Sequence, residues 1–402
     1  MKVKSSFDEN IIILILFIGM FFPTSNNFII NENYNLIMYV ILIALITLLL
    51  TKTGTTKKGL FYPLMIIGTM GLATFSGMVK YNSSDINTGV FLQITTFSLL
   101  MMINFKRLLV SNRLVIAFNV MNIINTVLGI LIVVNNSNAK IFLMKYYASY
   151  YPELIPNMLS MNKPVLYFGS HSIAGFFIYL FFFLNLWRYE KENSKLGFLF
   201  CLSYIFLLLN IKSVTSIILF VVAVVQFAYL IYKKYKISLL ILIPLFIGTS
   251  IAYKDTFTEL VSKIFSSSAN GFTGRYSASG VVQQNFQYLK ENLLPIGVLN
   301  LDQIYYTDNG FILNMIYGSV FLVIFLYGGL YSLLSSNIKS KLTVVFLFGI
   351  VFVFEWGFPV LYHFRFVYFL PFIIVFYQHI NSKGEPISSQ MEADDTTFQK
   401  LV

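Results

Sequence analysis

The chain is poor in the residues that build most soluble sites. It has one cysteine, Cys201, so it can form neither an intrachain disulfide nor a cysteine-based metal site. It has three histidines and 17 acidic residues in 402. None of these fall at metal-ligand spacing, there is no His-Glu-x-x-His, and no metal is expected. A Walker A sequence is also missing, so ATP is not expected to drive the protein directly, and no cofactor is implied. Charged residues make up 11% of the chain, against roughly 25% in ordinary soluble domains. That shortage excludes a water-soluble globule, a disordered chain and a disulfide scaffold. What is abundant is apolar: 57% of residues, with 42 Phe and 26 Tyr, at a mean hydropathy of +0.74. The net charge of +11 does not point to nucleic acid. The cations are dispersed singly and in short clusters between apolar runs, where membrane topology uses them.

The expected fold is all-α: a polytopic membrane protein forming a single transmembrane domain over residues 1–402. Apolar runs near 20 residues match helices that cross a hydrocarbon core of about 30 Å. Twelve are read, at 8–23, 34–50, 59–79, 88–105, 114–134, 165–187, 196–211, 213–232, 237–253, 311–334, 342–362 and 364–381. The first follows Lys2 and Lys4 as a signal peptide would. No small-x-small cleavage site follows it, so it is kept as a span. With both termini cytoplasmic, 18 of the 28 Lys and Arg fall on inner segments and ten on outer ones. The positive-inside rule expects such a bias. Residues 382–402 then form a cytoplasmic tail.

Most connections are short, but residues 135–164 and 254–310 form two long outer loops. Long loops usually carry function. The first holds Tyr146, Tyr147, Tyr150 and Tyr151, either interfacial anchors or a platform on which sugars stack. In the second, residues 254–266 have the spacing of a short amphipathic helix, and 270–280 are Gly/Ser-rich loop. Residues 281–294 place Val282, Phe286, Leu289 and Leu293 on one helical stripe that suits the membrane surface or the bundle. The whole segment reads as a lid over an outward-facing cavity.

Ionisable groups in or beside spans are costly and are functional candidates by default. Glu355 lies in the eleventh run, about 10 Å below its outer end at ~1.5 Å per residue, as a catalytic carboxyl or a structural one. His171 lies near the outer end of the sixth run, Lys212 in the tight turn between the seventh and eighth, and Arg365 at the head of the twelfth. The last two suit either snorkelling anchors or anion ligands. Arg275 sits in a Gly-flanked loop and stays charged at any working pH. Its planar fork matches phosphate oxygens bidentately, although a surface salt bridge to Asp255 or Glu259 would use it equally. The charges gather at the outer face rather than mid-span, which fits an ionic or anionic-lipid substrate approached from outside.

The order Gly169-Ser170-His171-Ser172, then Gly271-Phe272-Thr273-Gly274-Arg275, then Asp308-Asn309-Gly310-Phe311 heading a span resembles the O-antigen polymerase and O-antigen ligase superfamily. It is most similar to the polymerases of capsular or exopolysaccharide repeat units. The resemblance implies a GT-C-like glycosyltransferase that is metal-independent and needs no cofactor. Its donor would be an undecaprenyl-pyrophosphate-linked oligosaccharide, and its place the plasma (inner) membrane. It further implies that Arg275 handles the pyrophosphate, with Arg365 and Lys212 as helpers, while Asn309 and Tyr306 border the glycan. Asp308, His171 and Glu355 are the candidates to accept the acceptor proton. Ligases of this group carry a histidine where this chain has Asp308-Asn309, the polymerase-like form. Partners implied are the bilayer, the lipid-linked glycan, and a chain-length regulator and flippase of the same pathway. A polysaccharide flippase or other transporter, a ligase-type transferase and a non-catalytic scaffold are the rival readings. The unequal outer loops and the lack of an internal repeat weigh against the transporter.

Overall fold

In the computed structural model, residues 5–23, 34–55, 57–108, 111–148, 154–236, 280–301 and 309–382 are described, with Lys254, Thr258 and Ser262 as isolated positions. Among them the protein is all-helical, with no β-strand and one isolated bridge between Ile86 and Leu299. The α-helices in chain order are α1 (Ser5–Phe21), α2 (Tyr34–Thr53), α3 (Lys57–Tyr81), α4 (Thr88–Met102), α5 (Arg113–Val133), α6 (Ser137–Tyr147) and α7 (Leu154–Ser160). They continue with α8 (His171–Glu192), α9 (Lys195–Ile211), α10 (Val214–Tyr235), α11 (Val281–Glu291), α12 (Gly310–Asn337), α13 (Lys341–Phe354) and α14 (Phe364–Ser382). Eleven of the twelve expected runs overlap a helix over part or all of their length, and the run at 237–253 lies outside the described residues. Among the described residues, six helices are long and apolar enough to cross a membrane: α2, α3, α5, α8, α10 and α12. The protein is a helical, multi-pass membrane protein by this measure.

The helix starts are written locally. Asn87, Asn136, Ser170, Ser194, Ser213, Asn309 and Ser340 each accept a hydrogen bond from a first-turn backbone N–H. This is the ordinary chemistry of short polar side chains at a helix N-terminus. The core is aromatic and the periphery aliphatic. α8 and α14 are buried nearly all round, and their phenylalanines interlock with α5 and with each other, as in Phe118–Phe376 (ring centroids 4.6 Å) and Phe181–Phe369 (4.9 Å). α2 and α3 instead present Val40, Leu48, Leu64, Leu72 and Val79 outward, as a lipid-facing helix should. Buried polar links fix the register. Asn122 and Asn185 exchange amide hydrogen bonds (3.2 and 3.0 Å), and Tyr204 donates to Asn122 (2.7 Å). Such bonds glue helices where no hydrophobic effect acts between them.

The bundle has two ends. One carries the start of α1, where Glu9 accepts from the backbone N–H of Ser111 (3.1 Å) and Leu114 (2.9 Å) and so caps α5. The other carries the start of α14, whose Arg365 meets the C-terminal turn of α1.

Three sequence expectations are corrected. The run at 342–362 is not one helix. α13 stops at Phe354, and Gly357 and Pro359 break the pattern before a single 3₁₀ turn at Val360–Tyr362. Glu355 therefore caps a helix end instead of lying mid-span. The connection at 135–164 carries the short helices α6 and α7, and within it Tyr147 is buried, donating to the Phe21 carbonyl (2.8 Å), so Tyr147 is no sugar platform. On α11, Val282 and Asn285 are buried while Phe286 is exposed, as is Leu293 just past the helix end. The helix is turned from the expected stripe because Tyr288 binds Tyr81 across a 2.6 Å hydroxyl contact.

Candidate functional site

The candidate site gathers at the Arg365 end around Glu355. Three elements converge there: the start of α12, the end of α13 and the turn into α14. Asn309 caps α12, its Oδ1 accepting from the Ile312 N–H (3.0 Å). The next N–H, of Gly310, donates to the Glu355 backbone carbonyl (2.7 Å). Gly310 is required at this point. A Cβ there would occupy the place of the Glu355 carboxylate, so only glycine lets the two backbones approach.

Glu355 is fully buried. Its Oε1 accepts from the Leu361 N–H (2.9 Å), which folds the 355–362 turn back over the carboxylate. The same turn is held from its other side. Gln93 of α4 donates to the Leu361 carbonyl (3.0 Å), and Tyr39 of α2 donates to Gln93 (3.2 Å). A second chain approaches from α12. Tyr362 donates to Asn314 (2.8 Å), Asn314 donates to the Tyr327 hydroxyl (3.3 Å), and Tyr327 and Tyr362 both interact electrostatically with Glu355. Phe311 walls the cluster, packing against Tyr327, Phe352 and Trp356 at 4.7 to 5.3 Å between centroids. Among the described residues no cation pairs with the carboxylate. A buried carboxyl held by hydrogen bonds and flanked by hydroxyls is equipped to receive or give a proton.

His363 follows directly. Its ring lies among Phe177, Phe358 and Phe364 at 5.4 to 5.6 Å, with a buried Nδ1. Arg365 turns away from this cluster. Its guanidinium donates to the carbonyls of Gly19 (3.2 Å), Met20 and Phe22 (3.2 Å) and lies over the Tyr167 and Phe364 rings. It satisfies carbonyls that the end of α1 leaves open, and it complements the negative end of the helix dipole.

The remaining predicted residues are distributed as follows. His171 is the first residue of α8, half-exposed behind its Ser170 cap. Lys212 is exposed in a left-handed conformation (φ 51°) between α9 and α10. Asn309 and Glu355 are brought together through Gly310. Arg275, Tyr306 and Asp308 lie outside the described residues, as do Tyr150, Tyr151, the 383–402 tail and, apart from Lys254, Thr258 and Ser262, the 254–266 helix expectation. Sequence reasoning passed over Gln93, Asn314, Tyr327 and Tyr362. A usable signal existed for two of them. Gln93 and Asn314 are polar side chains inside apolar runs, and such residues are rarely idle. Among the described residues no group of His, Cys, Asp and Glu is arranged to hold a metal.

No protein-family model, no curated protein and no solved structure matches this chain.

Proposed function

We propose that the protein is a membrane polysaccharide polymerase. In this reading twelve helices in a GT-C-like arrangement keep both termini in the cytoplasm of a plasma-membrane protein. The enzyme joins undecaprenyl-pyrophosphate-linked oligosaccharide repeat units at the outer face. An acceptor sugar hydroxyl attacks the donor anomeric carbon, the bond to the pyrophosphate oxygen breaks, and the hydroxyl proton passes to a protein base. The observation that carries the reading is the buried Glu355 carboxylate beneath Asn309-Gly310, next in sequence to Asp308. That juxtaposition makes Glu355 and Asp308 the favoured proton acceptors, with His171 third. Arg275 and Lys212 stabilise the departing pyrophosphate, and Tyr306 and Asn309 border the sugar. Arg365 serves the reaction by holding α1 rather than by touching the donor, because its fork is already engaged by backbone carbonyls.

The test is glycan length in a strain lacking the chain and supplied with variants. Glu355→Gln or Asp308→Asn, expressed at the parental level, should leave single repeat units on the lipid at the outer face. Arg275→Lys should do the same, since a point charge does not reproduce the fork. Parental polymer from all three variants would overturn the polymerase reading.

One observation favours a second reading. α12 is broken at Gly318 and Ser319, and discontinuous helices are common where transporters bind cargo. A flippase of the same lipid-linked units would leave them at the inner face when deleted, so the side on which units accumulate separates the two.

A further inference from the structure

At the Glu9 end, a pocket of about 500 Å³ opens between the start of α3, the end of α4 and the last turns of α12. It lies a full helix length from Glu355, so it does not belong to the site above. Its wall divides by polarity. Tyr62, Met101 and Leu333 give an apolar side, and Asn104, Ser332 and Lys106 a polar one. No acidic residue lines it. Tyr62 and Met101 close on Gly329, where a Cβ would sit 2.6 Å from the Met101 thioether, so the apolar side is tightly packed.

Three of the cations at this end face carboxylates. Lys52 faces Asp8 at 3.9 Å, Arg188 faces Glu192 at 3.1 Å, and Lys233 faces Glu190 at 3.0 Å. Lys106 is exposed beside the pocket and has no ion-pair partner among the described residues. In sequence, Lys57 and Lys58 stand immediately before Gly59, which also lines the pocket. An amphiphilic cavity with hydroxyl and amide donors, a free ammonium and no carboxylate is built for an amphiphile that carries an anion. Basic pockets between spans at a membrane surface bind lipid headgroups in this way, and the volume falls within the range of small-ligand sites.

We propose that this pocket binds a phosphate group carried by an anionic lipid, with Lys106, Ser332 and Asn104 on the phosphate and Tyr62, Met101 and Leu333 against the lipid's glycerol and upper acyl carbons. Phosphate is shared by two sources, a lipid headgroup and the free ion, and the measurement separates them. The full-length protein, purified in neutral detergent, is titrated with phosphatidylglycerol, phosphatidylcholine or inorganic phosphate while its thermal unfolding is followed. Phosphatidylglycerol should bind at least tenfold more tightly than phosphatidylcholine, and Lys106→Gln should abolish the difference. Ser332→Leu, which fills the pocket and leaves Lys106 in place, should also weaken phosphatidylglycerol about tenfold and carries the test if Lys106→Gln does not fold. Equal binding of the two lipids, or unchanged phosphatidylglycerol binding in both variants, would overturn the site. Inorganic phosphate binding as tightly as phosphatidylglycerol would overturn the lipid assignment. Because the readout is binding, its outcome is independent of any polymerase activity.

Discussion

At the Glu9 end cations meet carboxylates side by side: Lys52 with Asp8, Arg188 with Glu192, Lys233 with Glu190. At the opposite end Arg365 and Glu355 are both buried, and among the described residues neither is paired with an opposite charge. Arg365 donates to the carbonyls of Gly19, Met20 and Phe22 at the end of α1, and Glu355 accepts from the N–H of Leu361 at Oε1. The pairs Lys52–Asp8 and Lys233–Glu190 are reversible, since partly exposed pairs open into water at small cost, while Arg188 is buried. The arrangement at the opposite end is committed. A buried charge held by backbone stays where the chain puts it, and removing it strands the groups that faced it. The Glu9 end combines exposed ion pairs with one buried carboxylate, Glu9, that backbone N–H groups also hold, whereas at the opposite end Arg365 and Glu355 are both buried.

Substitutions probe that contrast in order of expected size. Arg365→Met should be the most damaging to the fold, because three carbonyls lose a charged donor at once. A loss of about 3 kcal/mol, seen as an earlier unfolding transition in detergent, is expected. Unfolding at the parental temperature would show that the α1 carbonyls find other donors. Glu355→Gln should behave differently. Its amide oxygen still accepts from Leu361, so the fold should hold while glycan polymerisation drops about 100-fold. Gly310→Ala forces a methyl group into the Glu355 carboxylate and should cost about 1–3 kcal/mol and disturb activity. Normal melting with normal polymer length would mean that the α12–α13 junction can widen. The smallest effect belongs to the other end. Glu190→Ala, which removes the partner of Lys233, should leave the unfolding transition almost unmoved, and any shift should vanish in high salt. A cost comparable to Arg365→Met would erase the distinction between the two ends.

Helical class and the positions of the apolar runs were legible in the sequence because hydrophobic length is a local signal. The caps Ser170 and Asn309 were not picked out, although each is a short polar side chain directly before a helix. The end of α13 was less legible, although Gly357 and Pro359 announce it, because Trp356, Phe358 and Leu361 keep the run apolar across the break. The partners of Arg365 and of the Leu361 turn beside Glu355 were not legible at all. Gly19 is 346 residues from Arg365 and Gln93 is 268 residues from Leu361, and only packing brings such distant positions together. The same holds for the role of Arg365. Nothing in its neighbours says that its fork points at carbonyls rather than at a ligand.

The break in α12 bears on how the chain is assembled. Ser319 adopts φ 64° and ψ −171°, so the helical ladder is interrupted about 12 Å from the helix start at ~1.5 Å per residue. The carbonyls of Ile316 and Tyr317 are taken by the N–H groups of Ile296 and Gly297 at 3.0 and 2.9 Å. That short segment is itself seated on α3, where Val298 donates to the Thr74 hydroxyl (3.1 Å) and a Cβ on Gly297 would run into Thr74. Bare carbonyls in hydrocarbon are costly. The helix therefore cannot settle in lipid until the segment before it has docked on α3. Both α3 and residues 296–298 leave the ribosome ahead of α12, so the order of synthesis supplies the support before the helix that needs it arrives. Swapping that order, by a circular permutation that begins the chain at α12, would deliver a broken helix to the membrane with nothing to mend it.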